Sequence, residues 1–332
     1  MNPTRLISGH DKDLGGGFKV LRLLPALGQR SVGPFIFMDH FGPAISHGDP
    51  AHDVRLHPHI GLSTVSYLFE GALLHHDSTG ARQEIQPGDI NWMTAGRGIV
   101  HSERAPEHLR GSAYTLHGLQ LWCALPLHEE DCAPSFQHVA ANELPAIERE
   151  GACVRLLVGA LDGQRSPVRT ATRTLYLHLR LSPGARLDLG QWADELPEEL
   201  AVYAPGQDLL LNGEPLPARR LAVLTTRHTA TPTSEPPPTT SDQTLPTSAE
   251  TIARSPDQAT AGSLELAASP LTSEPTDVIV LGGARLDAPR HLWWNFVSSR
   301  QDRIDEAARD WAQGRFPPVE GEEDFIPLPA RR

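Results

Sequence analysis

Three cysteines in 332 residues, with no Cys-x-x-Cys among them, are too few and too scattered for a disulfide framework or a thiolate zinc site. Cys123, Cys132 and Cys153 therefore read as small apolar side chains in a reducing compartment. Lysine is scarcer still: Lys12 and Lys19 are the only two. No basic cluster exists, and the formal net charge is −12, which opposes direct binding to a phosphate backbone. No apolar run approaches the roughly 18 residues of a membrane span. Met1 to Arg5 lack the apolar core of a secretion signal. These absences leave a cytoplasmic protein without membrane or nucleic-acid partners as the expectation.

Glycine and proline are plentiful, and they punctuate short apolar runs. Ser63–Phe69 is followed by Gly71, then by Gly80, Pro87-Gly88-Asp89 and Gly96-Arg97-Gly98. Such spacing predicts a meander of antiparallel strands. The same rhythm returns over residues 129–228, with strands expected at 154–158, 174–181, 200–203 and 221–226. An all-β protein with a duplicated barrel follows. The boundaries expected are 1–135 for the first barrel and 136–228 plus 277–332 for the second. A Thr/Pro/Ser-rich insertion, 229–276, is too polar to join a core. Near the end, Ile304, Ala307, Ala308 and Trp311 form one helical stripe, with Ser298 or Ser299 as the cap. An extended tail, 316–329, is placed against a barrel surface through Phe325 and Ile326.

Chemistry concentrates between His57 and Glu103. His57-Pro58-His59 and His101-Ser102-Glu103 each place two donors at i, i+2, hence on one face of a strand. Side by side, the two strands would bring three imidazoles and one carboxylate together as a metal site. Pro58 suits a sheet edge. Neutral imidazole suits iron, nickel, copper, manganese and zinc, and the carboxylate favours the harder ions. Glu103 is the candidate ligand and also the candidate proton acceptor. His40 and Phe41 at a strand end, and Trp92, are candidates for the pocket wall, with structural packing as their alternative role. The second repeat carries no comparable pair: His178 stands alone.

The segments Asp39-His40-Phe41-Gly42, His57-Pro58-His59, Phe69-Glu70-Gly71, His76-Asp77-Ser78, Pro87-Gly88-Asp89 and Trp92–Glu103 resemble the pirin family of the cupin superfamily. The resemblance implies two packed jelly-roll barrels with a C-terminal helix and tail. It also implies one divalent metal per chain in the first barrel, iron(II) ahead of nickel, manganese, copper, cobalt or zinc. His57, His59, His101 and Glu103 would be its ligands. For bacterial members it further implies dioxygen-dependent opening of a flavonol such as quercetin. Animal pirin instead suggests a metal-loaded redox sensor that binds a protein partner. Two departures bear on the pocket. Ile60-Gly61-Leu62-Ser63 follows His-Pro-His where many relatives have Arg-Gly-Phe-Glu, and His76 stands where many carry arginine.

Overall fold

The computed structural model describes residues 3–14, 18–225 and 264–330. Residues 229–263 of the expected insertion lie outside them. Among the described residues the regular elements are strands, four short 3-10 turns and one helix, Gln301–Ala312.

Each barrel is a seven-stranded sheet facing a four-stranded one. In the first barrel the large sheet runs Ser135–Val139, Ile90–Thr94, Leu62–Glu70, Tyr114–Ala124, Phe35–Ser46, Lys19–Leu24 and His10–Asp13. Its small sheet runs Val54–His59, Ile99–Arg104, Leu73–Asp77 and Arg82–Ile85. The second barrel repeats the plan. Its large sheet ends in Pro3–Ile7 and centres on Thr276–Gly283, and its small sheet includes Glu265–Ala268.

The two large sheets pack back to back. Their strands are therefore buried on both faces, and period-two alternation sorts each residue to one side. On Thr174–Leu181, Leu175, Leu177, Leu179 and Leu181 fill the second barrel, whereas Tyr176 joins the core between the barrels. On Glu199–Tyr203, Leu200 and Val202 point inward, and Ala201 and Tyr203 join the shared core. Among the described residues the second barrel's interior is thus filled by an apolar core, almost wholly aliphatic.

Three boundaries differ from the sequence expectation. Pro3–Ile7 pairs with Leu221–Thr225, so the first strand of the chain belongs to the second barrel. Ser135–Val139 pairs with Ile90–Thr94 and closes the first. The span 229–276 is not wholly an insertion: Glu265–Ala268 pairs with both Arg186–Asp188 and Leu209–Leu211. Leu264, Leu266 and Ala268 are buried in the aliphatic core, a three-residue apolar alternation hidden by its polar flanks.

The C-terminal segment also changes sides. From Asp287 onward it packs on the first barrel rather than the second. Arg290 lies against Glu130, with both side chains almost fully buried. Phe296 bridges to Ile60, and Val297 donates to the Ile60 carbonyl at 3.2 Å. Gly61 has a φ of +68°, and a Cβ there would strike the Val297 carbonyl. Glycine at this position lets the two segments approach. Ile304, Ala307 and Ala308 are buried as the stripe required. The residue capping that helix is Arg300, not a serine. Ser298 Oγ is held by Glu130 and accepts from the Arg300 N–H.

Candidate metal centre

The strands Val54–His59 and Ile99–Arg104 are antiparallel neighbours, with His57 opposite His101 and His59 opposite Ile99. Pro58 lies on the edge strand of its sheet, where its missing N–H costs no ladder bond. This register brings the three imidazoles together: ring centroids lie 4.3 Å apart for His57 and His101, 5.0 Å for His57 and His59, and 5.1 Å for His59 and His101. One donor atom from each of the three lies within 4.8 Å of the others.

The rings are also oriented. His57 Nδ1 donates to the Arg55 carbonyl at 2.8 Å and His59 Nδ1 to the Asn295 carbonyl at 3.1 Å. His101 Nδ1 lies 3.4 Å from Nδ1 of His75, whose Nε2 donates to Asp77 at 2.8 Å. Each Nδ1 is thereby engaged, which leaves Nε2 as the donor, the arrangement that metal-binding histidines adopt. His101 Nε2 is buried without a hydrogen-bond partner. An orphaned buried nitrogen is costly unless an ion takes its lone pair. The donor set fits one divalent metal ion.

Electrostatics favour the same state. Burial pushes the pKa of His57 down to about 4 and those of His59 and His101 well below the ordinary value; neighbouring histidines push further in the same direction. The three rings are neutral at neutral pH, as ligation requires. Burial acts oppositely on Glu103 and raises its pKa, partly offset by His75 and by a bond from Ser66.

Glu103 is not one of the three mutually close donors. It lines the same cavity, with Oε1 3.1 Å from Ser66 Oγ. Ser66 Oγ is also 2.9 Å from Gln120 Oε1. A hydroxyl has one proton to give, so Ser66 donates to Glu103 Oε1 or to Gln120 Oε1, not to both at once. With Glu103 ionised, the charged acceptor is the stronger one.

The cavity measures about 1060 Å³ and lies between the two sheets of the first barrel. Phe37 and Trp122 form one wall, stacked at 4.0 Å and 11°. Arg22 covers Phe37 at 4.3 Å and grips Asp39 through two bonds of 2.7 and 2.8 Å. Of the three residues expected to line the pocket, Phe41 does so. His40 and Trp92 do not. Along Phe35–Ser46, Phe37, Asp39 and Phe41 alternate into the cavity, and His40 faces the other way, beside Tyr203 and His117. Trp92 is part of the core between the barrels. His75, Ser66, Gln120 and the Asn295 carbonyl are the parts not evident from the sequence. His75-x-Asp77 carried the same i, i+2 signal as the chosen pairs.

Comparison with known proteins agrees with this architecture. The Pirin family profile matches residues 17–123, and that of the Pirin C-terminal cupin domain matches 249–317. A pirin-like protein of Caulobacter vibrioides is 39% identical over 322 residues, which is 96% of each chain. A crystal structure of a quercetin 2,3-dioxygenase from Acinetobacter baumannii superposes with a TM-score of 0.78 at 29% identity, covering 99% of this chain and 95% of that one. A bacterial pirin from Escherichia coli, solved in complex with nickel(II), shares the fold at a TM-score of 0.57 and 12% identity, covering 84% of this chain and 99% of that one. With its two packed barrels and its histidine trio confined to the first of them, this chain belongs to the pirin family of cupin proteins.

Proposed function

We propose that the chain is a metal-dependent dioxygenase that opens an electron-rich aromatic enol of the flavonol type. The observation carrying this reading is the convergence of three neutral imidazoles, with a buried carboxylate beside them, on a cavity large enough for a polycyclic substrate. The relative from Acinetobacter baumannii, described as a quercetin 2,3-dioxygenase, supports the substrate class. His57, His59 and His101 would hold the ion, with iron(II) as the proposed species. The bound ion supplies Lewis acidity toward the enol oxygen and the redox capacity that dioxygen chemistry needs.

The chain's own residues do the rest. Glu103 takes the proton of the substrate hydroxyl through Oε2, while Ser66 holds Oε1. Burial raises its pKa and so makes it a stronger base than an exposed glutamate. Phe37 and Trp122 present an aromatic wall along which a planar ring system can lie. No metal ligand comes from the second barrel, whose role is to brace the first through the shared core.

The test is aerobic loss of flavonol absorbance with release of carbon monoxide, using protein loaded in turn with iron, nickel or manganese. Absence of turnover with all three metals, in protein that binds them, rejects the flavonol assignment.

A further inference from the structure

The tail residues Glu322 to Ile326 run along the outside of the two strands that carry the histidines. Leu56 donates to the Asp324 carbonyl at 3.1 Å, and Ile326 donates to the Leu56 carbonyl at 2.8 Å. Trp311 Nε1 on the helix fixes Ile326 from behind at 3.0 Å. The tail thus extends the sheet edge beside His57.

Glu322 reaches the other strand. Its Oε1 accepts from Ser102 Oγ at 2.7 Å and from His76 Nδ1 at 3.0 Å. Its Oε2 accepts from Arg104 Nε at 3.0 Å and Nη2 at 2.7 Å. Ser102 and Arg104 are the outward residues of Ile99–Arg104, and His101 and Glu103 are the inward ones. One carboxylate therefore spans the two positions that alternate with the metal-site pair. Ser102 and His76 are also cross-strand partners, and their neighbours Glu103 and His75 face the same way on the inner side.

The clasp covers a stretch held regularly on one side only. Pairing of Ile99–Arg104 with Leu73–Asp77 is unbroken from His101 to Arg104, but its pairing with Val54–His59 slips between His101 and Glu103. We propose that Glu322 is a positioning residue of the metal centre: by bridging Ser102 and Arg104 it fixes the strand that presents His101 and Glu103. The inference rests on the metal site proposed above. It also accounts for histidine at position 76, which here donates to Glu322.

The test measures iron(II), nickel(II) and cobalt(II) affinity of the full chain by chelator competition, and the visible spectrum of the cobalt form. Glu322→Ala is compared with Asp324→Ala, which removes another tail contact, to Arg55, without touching the clasp. The expected result is metal binding weaker by about 10–100-fold in Glu322→Ala, as for other groups that orient metal ligands, with an altered cobalt spectrum. Asp324→Ala should leave both unchanged, and Glu322→Gln should restore part of the affinity. Equal affinities and spectra for Glu322→Ala and Asp324→Ala would overturn the proposal. If Glu322→Ala does not fold, Ser102→Ala takes its place; it deletes one clasp bond and spares the tail's backbone pairing. Unchanged metal binding in a folded Ser102→Ala would likewise overturn it. Failure of the unaltered protein to bind any of the three metals is a different result and rejects the metal site itself.

Discussion

Metal binding should depend little on pH between neutrality and mild acid, and the reason is burial of the histidines. A proton competes with the metal for each imidazole. With three histidines at the ordinary pKa of about 6.5, that competition would weaken apparent affinity about 50-fold between about pH 7.5 and about pH 6. Binding at about pH 6 would then release roughly two protons from the imidazoles. In this site burial has already lowered His57 to about 4, and His59 and His101 well below the ordinary value. Their protonated fraction at pH 6 is on the order of 1% or less, so their competition almost vanishes. Glu103 is shifted the other way and adds at most one proton if it ligates. The assay is calorimetric titration of the metal-free protein in buffers of different ionisation enthalpy, which counts protons released. The expectation is no more than one proton at about pH 6, with steep loss of affinity only as pH falls toward that of His57. Release of two or more protons would mean that the rings are solvated and charged before binding, and would refute the buried neutral triad.

Glu103→Gln keeps the bond from Ser66 and removes the base, so turnover should fall by about 10²–10⁴-fold while the protein still takes up metal; elemental analysis beside the rate assay checks both. Leu177→Ala in the filled barrel should cost about 2–5 kcal/mol in urea unfolding and leave metal stoichiometry unchanged, because its side chain touches only the aliphatic core. Between the barrels, burial lowers His40 to about 3 and His117 to about 4, so both stay neutral in the folded protein when the unfolded chain begins to take up protons. Their depressed pKa values contribute stability that is complete above about pH 6.5 and is lost as pH falls toward the folded values. Denaturation of the metal-free protein across that window should show stability falling with acid, and His40→Gln should make the fall shallower; an unchanged slope would count against it.

The two pairs were legible because i, i+2 spacing on a strand fixes the shared face; that the two strands lie side by side with His57 opposite His101 is long-range pairing, and Glu103 falls outside the three close donors. The same rule sorts Phe37, Asp39 and Phe41 from His40, yet it does not say which face of a doubly buried strand is the cavity. Phe35–Phe41 and Ile90–Met93 are buried on both faces, so nothing local separates Phe41 from His40 and Trp92. Long-range pairing hid the rest. Nothing local in Pro3–Ile7 distinguishes a strand of the first barrel from one of the second. Nothing local in Asn295 or Glu322 marks a residue whose partners, His59 and Ser102, lie more than 200 positions away.

One plan folded twice yields a filled barrel and a hollow one, and the difference lies in the inward positions alone. In the second barrel they are Leu, Val, Ile and Ala with one Trp, and burial of those side chains stabilises the barrel from within. In the first, the inward side chains include His57, His59, His101, Glu103, Asp39 and Gln120, which surround about 1060 Å³ of open space. That interior gives up apolar burial to hold a site, so restraint must come from outside it. The shared core supplies it on one side, where Leu119, Leu121 and Cys123 back the strand that carries Gln120 and Trp122. The C-terminal segment supplies it on the other, through the Asn295 carbonyl on His59, the edge pairing at Leu56 and the Glu322 clasp. On this account residues 295–326 are part of the candidate metal centre, although none of them is among the three close donors.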